Sequence, residues 1–131
     1  MKGPWIPDTN TILRYLLDDH PELSAKARVF WESVRESRLS AVLTEGVLME
    51  AVYVLSKFYK VPRIEAVERL SGLLRYAGLS QEPAGIFPDA LALFGQGGLD
   101  FVDCLLVVRE RTGRGAVFTF DRPLVRTLSP G

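Results

Sequence analysis

The sequence predicts an α/β fold, a short central parallel sheet covered by helices on both faces, and three observations carry that expectation. Short apolar runs bounded by turn residues alternate with segments whose apolar residues recur at helical spacing. Two of those runs, Trp5-Ile6-Pro7 and Ala116-Val117-Phe118-Thr119-Phe120, lead directly into an aspartate, Asp8 and Asp121. The chain has 131 residues, 47% of them hydrophobic, which suits a single domain spanning 1–131 with one core. Parallel sheets with crossover helices bury alternating elements of this kind, and ligands bind beyond the carboxyl ends of their strands. Asp8 and Asp121 are both expected at that edge.

The first strand ends at Asp8, and Ile12, Leu13, Leu16 and Leu17 make the next segment a helix. Pro4 and Pro7 leave the length of that strand in doubt, because proline cannot donate to a ladder. Pro21 opens a second helix to about Ser37, with Ala27, Phe30, Trp31 and Val34 as its apolar stripe. Residues 39–43 form a short strand, and Thr44 is placed to cap a helix over Glu45 to Tyr59. Pro62 begins another amphipathic helix through Tyr76, followed by an ambiguous stretch, Ser80 to Phe87, readable as a loop or a weak edge strand. A helix starts at Pro88 and stops at Gly95-Gln96-Gly97-Gly98, a run that lacks the lysine and hydroxyl of a phosphate loop and reads as a linker. Asp100 caps the next helix, to about Arg111, and residues 116–120 form the last strand, delivering Asp121.

Lysine plus arginine balance aspartate plus glutamate at 16 each, so no global positive field marks a bulk nucleic-acid binder, and any RNA contact must be local. Arg109, Arg111, Arg114, Arg122 and Arg126 crowd the C-terminal stretch, either as a phosphate-binding rim or as a solvated face of mixed sign. One cysteine, Cys104, and one histidine, His20, exclude an internal disulfide and disfavour a zinc site of the usual kind. A reducing cytoplasm fits this cysteine usage. The start, Met1-Lys2-Gly3-Pro4-Trp5, lacks the apolar run of a signal peptide, and no apolar segment is long enough to span a bilayer. A cytoplasmic protein without membrane contact is expected.

Glu50 is the most informative acid. It sits in Val47-Leu48-Met49-Glu50-Ala51-Val52-Tyr53-Val54-Leu55, a helix apolar nearly all round and so expected to be buried. A buried carboxylate must be paired, protonated or bound to metal, and an ion pair with an arginine competes with the metal reading. Asp103 repeats the pattern in Phe101-Val102-Asp103-Cys104-Leu105. Asp100, three residues earlier, is assigned to the helix cap and Asp103 to the site, although the two roles are exchangeable. Asp8 as a cap and Asp121 as a turn residue are each credible alone. Together the four acids fall where a parallel layout gathers chain segments at one edge, and converging carboxylates are relieved by a hard cation, Mg2+ or Mn2+.

These motifs resemble the PIN-domain nucleases, and the short form is similar to the VapC toxins of prokaryotic toxin–antitoxin pairs. Asp8-Thr9-Asn10 matches the family's first acid with its followers, Glu50 the helical glutamate, Phe101-Val102-Asp103 the third acid and Thr119-Phe120-Asp121 the fourth, over essentially the whole chain. The resemblance implies a PIN-like three-layer fold and an endoribonuclease, the toxin of a VapBC-type pair, whose acids hold Mg2+ or Mn2+ and activate water against an RNA phosphodiester. It implies Asp8, Asp103 and Asp121 as ligands, direct or through water. Glu50 would hold a metal-bound water or a second ion, with Thr9, Asn10, Asp100 and Thr119 supporting the ligands, Thr9 being equally readable as an ordinary turn residue. Arg14, Arg109 and Arg122 are the expected RNA contacts. A cognate antitoxin protein and a homodimer are the expected partners, the dimer because Trp5, Leu39, Leu43 and Tyr59 exceed what one small core hides. A non-catalytic PIN-like RNA-binding or assembly module is the alternative. A haloacid dehalogenase site would need an aspartate where Asn10 stands, and a receiver domain a lysine late in the chain, where none follows Lys60.

Overall fold

The computed structural model describes residues 3–128, so the expectation for the N-terminus lies in part outside the described residues. Among the described residues, seven α-helices surround a two-stranded parallel sheet, with β1 (Ala41–Thr44) beside β2 (Leu79–Glu82) and Ala41 opposite Leu79. Trp5 joins the other edge of β1 through one parallel bridge, in which its N–H donates to Ser40 O and its carbonyl accepts from Val42 N–H, both at 2.8 Å. Pro4 and Pro7 supply no N–H, so the expected first strand shrinks to that bridge. The ambiguous stretch is part strand and part loop: β2 takes Leu79–Glu82, and residues 83–86 turn into the helix that begins at Phe87.

The last expected strand does not form. Among the described residues, 116–120 pair with no strand, and Val117 N–H donates instead to Glu110 Oε1 at 2.8 Å. The alternation survives without the ladder: Val117 and Thr119 are half-buried, while Phe118 and Phe120 are 86% and 88% exposed and meet edge to face at 5.2 Å.

Six helices follow the apolar spacing closely, α1 (Thr9–Leu17), α2 (Pro21–Arg35), α3 (Glu45–Tyr53), α4 (Arg63–Leu74), α5 (Phe87–Gln96) and α6 (Phe101–Arg111), and a further one that the sequence reading did not include, α7 (Arg122–Leu128), follows Asp121. A π-helical turn, Val54–Phe58, prolongs α3. Trp31, Leu43, Leu48, Leu55, Phe87 and Leu105 are buried between the helices and β1. Trp31 fastens α2 to α1 by donating to Thr11 O at 3.3 Å and stacking on Tyr15 at 6.1 Å. Gly78 is required where it stands: a Cβ there would overlap the carbonyl oxygens of Leu39 and Val34, at the entry to β2.

The apolar surplus lies elsewhere than expected. Leu43 is wholly buried and Leu39 and Tyr59 half-buried, whereas Ile6, Phe58, Phe118 and Phe120 join Trp5 at the surface. Among the described residues no helix is long and apolar enough to cross a membrane.

Candidate metal centre

Asp8 lies three residues past the Trp5 bridge and begins α1. Its backbone is extended, and its Oδ1 accepts from Thr11 N–H at 3.0 Å and from Thr11 Oγ1 at 2.7 Å. These two bonds, the hydroxyl's first, hold its carboxyl below the usual aspartate value. Asp8 is therefore a true N-cap, and neither Thr11 bond engages Oδ2.

Asp103 is the opposite case. It occupies the first turn of α6, half-buried, and its pKa is raised, chiefly by burial and then by the charges of Asp121 and Asp100. Asp100 stands at the N-cap position with extended backbone, yet its side chain makes no capping bond. The expected division of labour between these acids is corrected here: Asp100 adds charge beside Asp103 instead of satisfying the helix end.

Asp121 reaches this group from the extended segment that replaces the last strand. Its Oδ2 accepts from Leu124 N–H at 3.1 Å, at the start of α7, and its own N–H donates to Thr119 Oγ1 at 3.0 Å. Thr119 thus fixes the backbone at Asp121.

Glu50 departs from expectation in its surroundings. It is exposed, because α3 packs against α1, β1 and α6 and leaves the stripe Gly46, Glu50, Tyr53 and Lys57 uncovered. A helix apolar in sequence is open on one side because a domain of this size has no further layer to cover it. The arginine pair considered for Glu50 belongs to Glu45, whose Oε1 takes Arg109 Nη2 between α3 and α6. At the other end of these helices Met49 and Tyr53 line one cavity with Phe101 and Val102, so α3 and α6 run antiparallel and Glu50 lies level with the half of α6 that carries Asp103.

The expected RNA contacts are placed unequally. Arg109 is held by Glu45, and Arg14 by Asp19 at 2.7 Å and the Tyr59 hydroxyl at 2.9 Å, while Arg122 is exposed beside Asp121. Thr9 is buried and Asn10 exposed at the start of α1.

Two residues escaped the sequence reading. Thr11 holds Asp8, and the signal was its place three residues after an N-cap acid. Arg63 stacks over Phe94 at 4.1 Å and donates to Phe94 O at 3.1 Å and Leu99 O at 2.5 Å, pinning the turn that launches α6. Nothing local announces Arg63, because its partners are backbone carbonyls more than thirty residues away.

With this geometry in view, comparison with known families gives one finding: the PIN domain model matches residues 6–127. The chain belongs to the PIN domain family. PIN domains are generally a metal-dependent nuclease fold, usually working with divalent ions, and the mixed α/β fold with a short parallel sheet flanked by helices agrees with that membership. Nothing among curated proteins or solved structures matches the chain.

The donor set of this PIN domain fits a hard cation in its chemistry. It is all oxygen, and Asp103 already carries the repulsion of Asp121 and Asp100 that a cation would relieve. The acids are not drawn into one closed group: among the described residues no three carboxylate, histidine or cysteine side chains are close enough to share a metal ion. Asp103 feels the charges of Asp121 and Asp100, while Asp8 at the start of α1 and Glu50 on α3 lie on separate elements.

Proposed function

We propose that this PIN-domain protein is a Mg2+- or Mn2+-dependent endoribonuclease that hydrolyses RNA phosphodiester bonds and serves as the toxin of a VapBC-type pair. The observation that supports it is the placing of Asp103, half-buried in the first turn of α6, near Asp121 and Asp100, whose charges together with burial raise its pKa. Each of these acids stands at a helix start, which accounts for it singly, and a cation accounts for the repulsion that Asp121 and Asp100 exert on Asp103.

On this reading Asp103 and Asp121 hold the cation and Asp8 contributes the oxygen that Thr11 leaves alone. Bound there, a divalent ion supplies Lewis acidity toward a phosphate oxygen and acidifies water. Glu50, exposed and level with Asp103, accepts the proton of the attacking water. Thr119 keeps Asp121 in orientation, and Thr9, Asn10 and Asp100 support the rim. An antitoxin protein, a homodimer and a cytoplasmic location complete the proposal, and exposed Ile6, Phe118 and Phe120 offer apolar surface to such partners.

One observation favours a second reading, a non-catalytic RNA-binding or assembly module: the carboxylate of Asp8 is already used as a helix cap. Incubating purified protein with RNA in Mn2+, in EDTA, and as the Asp103→Asn variant separates the two. Cleavage in Mn2+ that EDTA and the substitution both abolish is expected. RNA intact under every condition leaves the module, and cleavage confined to a DNA of the same sequence keeps the metal nuclease but removes the RNA.

A further inference from the structure

The exposed stripe of α3 leads away from Glu50 along two cavities that meet. One, of about 450 Å³, lies between α3, its π-helical extension and the start of α6, and includes Asp100 in its lining. The other, of about 500 Å³, lies between the same extension and α1, and includes Asn10, two residues from Asp8. Tyr53 and Lys57 line both. The two cavities therefore adjoin along α3 as a divided groove, with Tyr53 and Lys57 standing between them as a shared wall, Asp100 in the lining of one and Asn10, two residues from Asp8, in the lining of the other.

Its chemistry is specific. Tyr53 is 59% exposed although it stands in an apolar helix, so its ring is a free flat surface three residues from Glu50, on the same helix face. Lys57 is exposed one turn further on and appears in no ion pair among the described residues. Ser56 Oγ is buried in the lining without a hydrogen-bond partner. A π-turn interrupts the helix at these positions, an irregularity frequent at functional sites. An aromatic platform, a cation one turn away and an unused hydroxyl beside a phosphodiester-cleaving centre are the equipment for holding a nucleotide of a single strand.

We propose that the groove on α3 binds the nucleotide next to the scissile phosphate of a single-stranded RNA, one base stacking on Tyr53 and a backbone phosphate pairing with Lys57. The inference rests on the ribonuclease reading and names where the substrate runs. It also gives the exposed face of α3 a purpose that packing does not. A nucleotide seated on Tyr53 lies one helical turn from Glu50, so stacking holds the strand equally in ground state and transition state while the acids supply chemistry.

The test pairs binding with cleavage. Anisotropy of a labelled, unstructured RNA of about a dozen nucleotides is measured in EDTA, where cleavage is blocked, for wild type, Tyr53→Ala, Tyr53→Phe and Lys57→Ala. Tyr53→Ala is expected to weaken binding about tenfold or more, and Tyr53→Phe to restore it to within about twofold, since the ring and not the hydroxyl stacks. Lys57→Ala is expected to make the dependence of log affinity on log salt shallower by about 0.7. In Mn2+ the KM of Tyr53→Ala rises while its kcat stays within about threefold of wild type, the pattern of lost uniform binding. Exposure of both side chains predicts unchanged melting temperatures.

Wild-type affinity and KM in Tyr53→Ala and Lys57→Ala, in a protein that cleaves RNA, would overturn the groove and leave the ribonuclease standing. Binding lost in Tyr53→Ala while wild type cleaves nothing would keep the groove and overturn the ribonuclease. If Tyr53→Ala instead turns a dimer into a monomer with RNA binding intact, the face is an interface between copies and the proposal is wrong. A wild-type protein that neither binds nor cleaves RNA removes both.

Discussion

Asp8 and Asp103 both lie at the start of a helix, and their surroundings drive them in opposite directions. Asp8 at the head of α1 is satisfied by the N–H and hydroxyl of Thr11, and its pKa is lowered. Asp103 in the first turn of α6 has its pKa raised by burial, Asp121 and Asp100. Both enjoy the favourable end of a helix dipole, so the dipole cannot explain the difference. What differs is the supply of donors: Thr11 of α1 gives Asp8 two hydrogen bonds, whereas Asp103 meets the negative charges of Asp121, from the segment before α7, and of Asp100, at the head of α6. An acid at a helix start thus stabilises the fold when donors face it and is a candidate ligand when other acids do.

The largest expected effect that tests this contrast is on catalysis. Asp103→Asn should lower Mn2+-dependent RNA cleavage by about 10²-fold or more with the melting temperature unchanged or raised, because the substitution removes a repulsion and no cap. Steady-state kinetics beside a thermal melt checks both halves. Next in size, Glu50→Gln should lower cleavage by at least about tenfold without loss of stability, as its exposed position requires. Wild-type rates in that variant would reduce Glu50 to a surface residue.

Smaller effects fall on stability. Mn2+ at 100 times its dissociation constant should stabilise wild type by about 2.7 kcal/mol, and Asp103→Asn should lose most of that gain. Asp8→Ala should destabilise the metal-free protein by about 1 kcal/mol through the lost cap. The two acids also predict opposite pH behaviour. Asp8, lowered, contributes stability that is present above its unfolded value of 3.8 and is lost as pH falls through the lower folded value. Asp103, raised, contributes in the reverse sense, its share being present below 3.8 and lost as pH rises through the higher folded value. Metal-free chemical denaturation across the acid range should therefore become steeper with pH in Asp103→Asn and flatter in Asp8→Ala.

Much of the fold was legible because it is local. The stripe Ala27, Trp31 and Val34 and the proline at Pro21 set α2, and glycines mark the end of α5. The proline-bracketed first strand was legible as doubtful, and it is a single bridge. What the sequence concealed depends on distant partners. Residues 116–120 have the composition and alternation of a strand, but membership of a sheet needs a free ladder, and Glu110 takes Val117 N–H first. Asp8 was readable as a ligand or as a cap, and the structure shows the cap in use while leaving an oxygen that Thr11 does not take. The burial of Glu50 was misjudged because an apolar helix implies burial only where another layer covers it, and here Tyr53 and Lys57 share its open face. Arg109 was readable as a basic residue in an acidic stretch, but only the packing of α6 on α3 reveals Glu45 as its partner.

The central claim is that Asp103 and Asp121 are crowded because a cation belongs between them, and calorimetric titration of Mn2+ into the purified protein tests it most directly. The account predicts one saturable site in wild type, lost in Asp103→Asn and in Asp121→Asn and kept in Asp89→Asn, an exposed acid in the first turn of α5. Equal Mn2+ affinity in all four proteins, or no binding by wild type, would contradict it.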